Sequence, residues 1–217
     1  MNTPEFITEH KIITIIRKIY GQQLLKLSDA LQAGGICMVE CTFDQKDPDC
    51  IAKTQEAISS LCNRHQGKML IGAGTVMTPE QVVAAYEAGA KYIISPNVSE
   101  AVIAKTKELG MVSMPGAMTP TEIMNAHYAG ADLVKLFPAG TLGFKYIKDI
   151  MAPISHVKLV ATGGVTEENL HEYLDLGFVG VGISGRLTDK TLIQEENWAE
   201  ITNRASAFTS IVRGETR

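Results

Sequence analysis

The sequence predicts a single (β/α)8 barrel that spans all 217 residues. Eight short apolar runs, rich in β-branched residues, alternate with amphipathic stretches of ten or more residues. The runs are apolar without alternation, which is typical of parallel strands that are buried on both faces. Successive runs start about 20 to 35 residues apart, which is the length of one strand plus one helix.

Each apolar run is assigned to one strand of the barrel. In chain order the predicted strands are IITII (12–16), ICMVE (36–40), MLIGAG (69–74), YIISP (92–96), MVSMP (111–115), LVKLF (133–137), KLVATG (158–163) and VGVGI (179–183). Eight such units closing on themselves give a barrel that is compact against the typical length of about 250 residues. A doubly wound open sheet is the structural alternative, but it needs fewer strands, and no G-x-G-x-x-G motif follows the first run.

Four of the amphipathic stretches carry helix-capping signals at both ends. They are TPEQVVAAYEAG (78–89), SEAVIAKTKELG (99–110), TPTEIMNAHYAG (119–130) and TEENLHEYLDLG (166–177). Each opens with Ser or Thr, has Glu within the next three residues and closes on Gly. Glycines that precede a strand are expected to end the helices in the left-handed conformation. These glycines are Gly34, Gly89, Gly110, Gly130 and Gly177.

Two further segments flank the eight units. The first is a helix or extension over residues 1–11, and the second is a C-terminal helix over residues 195–213. Trp198 in the second segment is expected to pack that helix against the barrel. The chain is therefore interpreted as one domain.

The composition argues against several classes of partner. The net charge is -4, and 20 Lys and Arg are interleaved with 24 Asp and Glu, so no basic stripe indicates nucleic acid binding. The first residues include acids, and their longest apolar run, five residues, is too short for a secretory signal or a membrane span. We expect a cytoplasmic protein with no membrane contact.

The cysteines and histidines give no indication of a metal site. Cys37, Cys41, Cys50 and Cys62 form no C-x-x-C pair, and no histidine follows them at zinc-finger spacing, so reduced thiols and no metal are expected. His127, His156 and His171 lie outside the predicted strand ends. They are interpreted as solvated or helix-terminal side chains and not as catalysts.

Polar residues, together with glycines and prolines, fall where the predicted strands end. This end of such a barrel carries the active site. In chain order they are Arg17, Glu40, Thr42, Gly74, Thr75, Ser95, Pro96, Pro115, Gly116, Lys135, Thr162, Gly163, Gly164, Gly182 and Ser184. We expect these residues to meet at one rim of the barrel.

Lys135 is the most unusual of these residues, because it stands inside an apolar strand. Side chains alternate along a strand, so Lys135 shares a face with Leu133 and Phe137, and Glu40 shares a face with Met38 and Thr42. If these faces line the lumen, Lys135 and Glu40 face each other. One interpretation is a buried structural ion pair. The favoured interpretation is a desolvated lysine with a lowered pKa, whose neutral amine attacks carbonyl carbons.

A carboxylate near Lys135 has two opposite effects. Glu40 would keep the ammonium charged and so oppose the lowering of its pKa, but it could also shuttle protons once a carbon–nitrogen adduct forms. The sequence leaves open which effect dominates.

Two glycine-containing turns are candidates for phosphate binding. Gly163 and Gly164 precede a helix that Thr166 is expected to cap, and Gly182 and Ser184 follow the last predicted strand. Barrels of this kind commonly hold phosphate at backbone amides in these two loops. An ordinary tight turn is the alternative interpretation of the glycine pair.

Six segments in register resemble one enzyme family. They are VECT (39–42), GAGTV (72–76), ISP (94–96), PG (115–116), VKLFPA (134–139) and TGGV (162–165). In order and spacing they are similar to the class I aldolases that cleave 2-keto-3-deoxy-6-phosphogluconate or 2-keto-4-hydroxyglutarate, and the resemblance runs from Ile12 to Leu187.

The resemblance implies a lyase that forms pyruvate and an aldehyde, glyceraldehyde 3-phosphate, through an imine on Lys135. Glu40 would be the general acid and base. A set of substrate-binding residues would include Arg17, Thr75, Pro96, Phe137, Thr162, Gly163, Gly164, Gly182 and Ser184. The family also implies no metal, no organic cofactor and a homotrimer.

This sequence departs from the family pattern at two places. Many members have arginine, which binds the substrate carboxylate, where this chain has Asp44. Three explanations are open: Arg17 replaces it with the help of Thr75, Asp44 points away, or the substrate differs at its carboxyl end. The family commonly has the order G-G-S-x-L where this chain has GISGRL, so Ser184 is displaced by one position. Arg186 could then supply the charge that binds phosphate, and the alternative is that it is a surface arginine.

Two other functions compete with the aldolase hypothesis. In a phosphosugar isomerase or synthase on the same barrel, Lys135 would stay charged and stabilise an anion. A non-catalytic barrel would bind a phosphorylated metabolite without cleaving it.

Overall fold

The computed structural model describes residues 2–215 and contains one parallel sheet that closes into a barrel. The strands are β1 Ile12–Ile16, β2 Met38–Thr42, β3 Leu70–Gly74, β4 Tyr92–Ile94, β5 Val112–Met114, β6 Gly116–Ala117, β7 Val134–Leu136, β8 Leu159–Thr162 and β9 Gly180–Ile183. Their order in the sheet is β5-β4-β3-β2-β1-β9-β8-β7-β6. All eight predicted strands are present, within a few residues of their predicted bounds.

The fifth strand of the barrel is divided by Pro115, the last residue of the predicted run. β5 precedes this proline, and β6 follows it outside the predicted bounds. Proline has no N–H to donate, so the ladder is interrupted there. β5 pairs with β4, whereas β6 pairs with β7. The carbonyl of Pro115 still accepts a hydrogen bond from the N–H of Lys135 at 2.9 Å. The divided strand closes the ring, and the fold is the predicted (β/α)8 barrel.

The helices surround the barrel and follow the strands in turn. They are α1 Thr3–His10, α2 Gly21–Ala33, α3 Cys50–His65, α4 Pro79–Glu87, α5 Glu100–Glu108, α6 Pro120–Tyr128, α7 Ala139–Met151, α8 Leu170–Asp175, α9 Lys190–Gln194 and α10 Trp198–Val212. Gly143 has non-helical backbone angles and bends α7.

Two of the capping predictions are wrong. Gly34 has φ −83°, and the left-handed residue at the end of α2 is its neighbour Gly35 at φ 90°. Gly34 is required for a close approach, since a Cβ there would lie 2.4 Å from Cβ of Ala205 on α10. Thr166 does not cap α8, because residues 166–169 form a turn and the helix begins at Leu170.

The core has two layers. The outer layer lies between the strands and the helices, and the half-buried Trp198 packs against it as predicted. The inner layer fills the amino-terminal part of the lumen and consists of Ile7, Ile13, Met38, Tyr92, Ile94, Val112, Met114, Leu133 and Val160. Ile7 belongs to α1, so the N-terminal helix covers the end of the barrel that is opposite the polar rim.

Tyr92 is the largest side chain inside the barrel. Its ring lies against the backbone of Gly72, where an added Cβ would come within 2.2 Å of the ring. Its hydroxyl donates a hydrogen bond to the carbonyl oxygen of Val39 at 2.6 Å. Tyr92 thus fills the lumen and leaves the polar side chains at the carboxyl ends of the strands.

Candidate active site

Lys135 lies on the inner face of β7 near the carboxyl end of the barrel. Its strand neighbours are Gly116 of β6 and Val160 of β8. Only 4% of the residue is exposed, so its amine stands in the water-poor interior. The alternation of β7 directs Leu133 to the inner core layer below it and Lys135 to the same lumen above.

Glu40 lies on the inner face of β2 and is 1% exposed. Gly74 on β3 provides the space for its carboxylate, because a Cβ at Gly74 would lie 2.5 Å from Oε2. The same Oε2 atom is buried and has no hydrogen-bond partner among residues 2–215. A buried carboxylate oxygen without a donor costs free energy unless the group is neutral or a substrate supplies the donor.

Burial dominates the ionisation of this pair. It lowers the pKa of Lys135 below the usual lysine value, an effect that Glu40 partly opposes and Arg17 reinforces. Burial also raises the pKa of the Glu40 carboxyl, while Lys135 and Arg17 pull it down. Burial therefore shifts both groups toward their neutral forms, although their mutual attraction opposes the shift.

The two groups do not form the structural ion pair that was one interpretation of the sequence. Across the described chain, the direct ion pairs do not include Lys135 with Glu40. The two side chains instead share one chamber and influence each other at longer range.

Phe137 forms one wall of the chamber above the lysine. Nζ of Lys135 lies 4.8 Å from the centroid of its ring. The ring also lies beside the turn after β8, where a Cβ at Gly163 would be 3.5 Å away. Phe137 is 37% exposed, so it faces the opening of the barrel.

Arg17 and Thr75 meet at the rim opposite Lys135. The guanidinium Nη1 of Arg17 donates a hydrogen bond to Oγ1 of Thr75 at 3.2 Å. Thr75 has φ 55°, a left-handed conformation that is uncommon for a threonine. Its carbonyl accepts a hydrogen bond from the Gln45 side chain at 2.8 Å, which helps to hold this turn.

Asp44 is engaged on the other side of the same rim. Its Oδ2 lies 2.7 Å from Nζ of Lys18, and the hydrogen bond from Lys18 lowers the pKa of this carboxyl. Asp44 is thus paired with Lys18, whereas Arg17 contacts Thr75, which is the arrangement that the first of the three explanations requires.

Close backbone contacts place the other predicted residues at the same rim. A Cβ at Gly116 would lie 2.5 Å from the carbonyl oxygen of Pro96, and one at Gly182 would lie 2.7 Å from Oγ1 of Thr162. Thr162 is buried, and Pro96 is half-buried. The structure thus brings the residues predicted from strands one to eight to one end of the barrel.

The glycine pair after β8 adopts a tight turn. Gly163 and Gly164 have φ values of 89° and 82°, which favour glycine. Gly140 donates its N–H to the carbonyl of Gly163 at 2.7 Å. The Asn169 side chain accepts a hydrogen bond from the N–H of Thr166 and donates one to the carbonyl of Gly164, so it holds the turn that precedes α8.

Ser184 begins the loop after β9 and is half-buried. Its carbonyl accepts hydrogen bonds from the N–H groups of Leu187 and Thr188. A cleft of about 620 Å³ opens beside it and is also lined by Arg17, Gly185 and Lys190. Lys135 does not line this cleft, whereas Arg17 lines it and also acts electrostatically on Lys135.

Sequence reasoning missed several residues that shape the site. Tyr92 fills the lumen below Glu40, and Gln45 and Gln81 hold the turn after β3 through a side-chain hydrogen bond of 3.0 Å. The sequence placed Gly74 at the rim, but it did not predict that Gly74 makes room for Glu40. The spacing of Gly72 and Gly74 in MLIGAG was the available signal, because two glycines on one face of a strand indicate large neighbours.

Other features lie away from the rim. His127 and His156 have ring centroids 5.3 Å apart, and His127 is on α6, outside the strand ends as predicted. Within residues 2–215, no cluster of three or more His, Cys, Asp or Glu side chains is arranged to hold a metal ion. No helix in this range has the length and apolar character required to cross a membrane.

Comparisons with known proteins identify the family that this chain resembles. The family model for KDPG and KHG aldolase matches residues 4–204. The chain is 35% identical over 181 residues to 2-dehydro-3-deoxy-6-phosphogalactonate aldolase of Escherichia coli K12, covering 83% of this chain and 85% of that protein. It is 30% identical over 210 residues to 2-dehydro-3-deoxy-phosphogluconate aldolase of Haemophilus influenzae, covering 96% of each.

A solved structure is also similar. It is that of KDPG aldolase from Legionella pneumophila, with pyruvate captured as a covalent carbinolamine intermediate. The TM-score is 0.83 at 30% identity, over 95% of this chain and 98% of that chain.

Proposed function

The chain belongs to the KDPG and KHG aldolase family, and we propose that this lyase cleaves a phosphorylated 2-keto-3-deoxy sugar acid through a covalent imine on Lys135. The observation that carries the proposal is the position of the Lys135 amine. It is buried, has no direct counter-ion among the described residues, and has a lowered pKa. A neutral amine of this kind is a nucleophile toward a ketone.

The first half of the reaction forms the imine. The neutral amine of Lys135 adds to the keto carbon C2, and loss of water gives a protonated imine. Glu40 is the proposed acid that delivers a proton to the departing oxygen, since burial raises the pKa of its carboxyl and so favours the protonated form.

The second half breaks the carbon–carbon bond. A base removes the proton from the C4 hydroxyl, the C3–C4 bond breaks, and its electron pair neutralises the imine nitrogen as an enamine forms. The aldehyde leaves, C3 takes a proton, and water releases pyruvate and regenerates the amine. Glu40 is the proposed base and proton donor, because it is the carboxyl that shares the chamber with Lys135.

The rim residues have separate proposed roles in binding. Many family members bind the substrate carboxylate with an arginine at the position where this chain has Asp44. Here Arg17, which donates a hydrogen bond to Thr75 at 3.2 Å, would bind that carboxylate instead. Phe137 and Pro96 would enclose the three carbons of pyruvate. Gly163, Gly164, Gly182 and Ser184 border the two loops that would bind phosphate, with Thr162 between them.

The substrate itself is tested by comparing three compounds. We expect pyruvate release, followed with lactate dehydrogenase, from 2-keto-3-deoxy-6-phosphogluconate, from its C4 epimer or from 2-keto-4-hydroxyglutarate. The ratio of their kcat/KM values assigns the C4 configuration and the need for phosphate. Lys135→Ala should abolish release from every one of them.

Two outcomes would reject the proposal. If the wild-type protein is thermally stabilised by these compounds but releases no pyruvate, it is a phosphometabolite-binding barrel. If Lys135→Ala retains pyruvate release, the lysine is not the nucleophile, and the covalent imine mechanism is rejected. A homotrimer and a cytoplasmic location are further predictions for this chain, which sedimentation and cell fractionation would test.

A further inference from the structure

We propose that Glu167, Arg186 and Arg204 are positioning residues that hold the two phosphate-binding loops in a fixed relation, and that Arg186 does not itself bind phosphate. This inference rests on the proposed function, because it concerns the phosphate of that substrate. The two loops are defined as the β8 loop, residues 163–169, and the β9 loop, residues 184–189.

One ion pair connects the two loops directly. Nε of Arg186 donates to Oε2 of Glu167 at 3.0 Å, and Nη2 donates to Oε1 at 2.9 Å. Two parallel hydrogen bonds of this kind fix both the distance and the orientation of the partners. Glu167 has only 20% of its side chain exposed, so this half of the pair is well shielded. The pair ties the loop of Gly163 and Gly164 to the loop of Ser184.

A second connection holds the β9 loop to α10. Nη1 of Arg204 donates to the carbonyl of Arg186 at 3.3 Å and lies 3.2 Å from Oδ2 of Asp189. Nε of the same arginine donates to Glu200, one turn earlier on α10, at 3.0 Å. Asp189 in turn caps α9 by accepting from the N–H groups of Thr191 and Leu192.

These contacts determine how the β9 loop presents Ser184 and Gly185. From within, the N–H groups of Leu187 and Thr188 donate to the carbonyl of Ser184. Contacts with other parts of the fold hold the rest of the loop: Arg186 binds Glu167 of the β8 loop, and Arg204 of α10 binds the carbonyl of Arg186 and the carboxylate of Asp189. Gly185 has open space where a Cβ would stand, so its backbone is accessible to a ligand.

The geometry also argues against Arg186 as a direct phosphate ligand. A phosphate that approached the Nε–Nη2 edge of Arg186 would have to displace the Glu167 carboxylate from both of its hydrogen bonds. A phosphate that used the remaining N–H groups would share the guanidinium with that carboxylate, so the two anions would lie close together. Like charges at that distance repel. The pair is therefore better suited to positioning the loops than to binding the substrate.

Glu167→Gln separates the two roles because they predict opposite results. If the pair positions the loops, the variant loses one charge and one of its two acceptors. KM for the phosphorylated substrate should then rise about tenfold, the scale of a sub-ångström misplacement, with kcat little changed. If Glu167 instead restrains a phosphate-binding Arg186, the variant should bind phosphate more tightly and KM should fall.

Arg204→Gln tests the second connection without altering the Glu167–Arg186 pair. We expect KM for the phosphorylated substrate to rise here as well. For both variants, KM for 2-keto-4-hydroxyglutarate and the rate of pyruvate trapping on Lys135 should remain at the wild-type level. A general loss of structure would lower all of these values together.

Arg64→Gln is the matched control. Arg64 forms a bidentate pair with Asp29 at 3.0 and 2.6 Å, and its side chain is 52% exposed, against 48% for Arg186. This pair joins α3 to α2 and lies outside the two loops, so we expect KM to be unchanged. In the double variant Glu167→Arg with Arg186→Glu, the ion pair is reversed, so KM for the phosphorylated substrate should return most of the way from the raised Glu167→Gln value to the wild-type value.

Two kinds of failure are distinguishable. If the wild-type protein releases no pyruvate from any of the three compounds, the proposed function fails. If wild type cleaves the phosphorylated substrate and both Glu167→Gln and Arg204→Gln keep its KM, the positioning inference is wrong although the proposed function stands.

Discussion

Lys135 and Glu40 show how burial sets the chemistry of single residues. Each has a low exposed fraction, 4% and 1%, and neither is paired directly with the other. Desolvation therefore outweighs their mutual attraction, which lowers the pKa of the amine and raises that of the carboxyl. A sequence supplies the residue types, but this balance depends on distances that the sequence does not contain.

The rate of imine formation should depend on pH through the Lys135 amine. The neutral fraction rises with pH, so the rate at which borohydride traps pyruvate should rise too. Because the pKa of Lys135 is lowered, the half-maximal rate should occur below pH 10.5, the ordinary lysine value. Mass spectrometry of protein quenched at successive pH values measures this rate.

Glu40→Gln is the control for that profile. Glu40 raises the pKa of Lys135, so its removal should move the half-maximal rate to lower pH and never to higher pH. A wild-type midpoint at pH 10.5 or above would contradict the assignment of Lys135 as a desolvated nucleophile.

Asp44→Arg tests whether Arg17 has taken over the substrate carboxylate. The variant removes the 2.7 Å contact with Lys18, which is 63% exposed, and places a second cation near the rim. Cleavage should be retained or improved, with a lower KM for the keto acid. Kinetics with pyruvate-releasing substrates measure this, and complete loss of cleavage would show that Asp44 has a role of its own.

At the scale of elements, the apolar pattern and the capping signals predicted the strands and helices better than they predicted the turns between them. All eight strands were predicted because apolar runs and their spacing are local properties of the chain. The division of the fifth strand at Pro115 was not predicted, because the run resumes as Gly116–Ala117 only through pairing with β7. Thr166 fails as a cap because the side chain of Asn169, three residues later, holds that turn.

Gly34 illustrates a long-range reason for a residue type. Its φ of −83° is open to any residue, so the local signal for a left-handed turn was misleading. The reason for glycine is α10, which returns from the far end of the chain to pack on α2. No pattern near residue 34 could reveal that contact.

Gly34→Ala should destabilise the α2–α10 contact. Its Cβ would lie 2.4 Å from Cβ of Ala205 and 2.6 Å from the carbonyl of Thr202. Overpacking of this kind costs about 1–3 kcal/mol in the free energy of unfolding, which urea titration measures.

A double variant provides the control for this contact. Ala205→Gly in the Gly34→Ala background should recover part of the loss, but not all, since the Thr202 carbonyl remains close. Unchanged stability in Gly34→Ala would show that α10 moves without cost and that the packing account is wrong.

At the scale of the whole molecule, the barrel gives the site its dry interior. α1 and the inner core layer cover the amino-terminal end, with Ile7 fully buried, and Tyr92 fills the lumen below Glu40. The polar residues are left at the opposite rim, where eight strands bring together residues as distant in sequence as Arg17 and Ser184. The sequence predicted this rim because strand ends are recognisable one at a time, whereas Arg204, Asn169 and Gly74 act through contacts across the fold.

The most direct measurement is reduction of the protein with borohydride in the presence of pyruvate, followed by peptide mapping. The account predicts one stable adduct, located on Lys135 and missing in Lys135→Ala, with cleavage activity lost in proportion to its formation. Full turnover with no adduct on Lys135, or an adduct on another lysine, would contradict it.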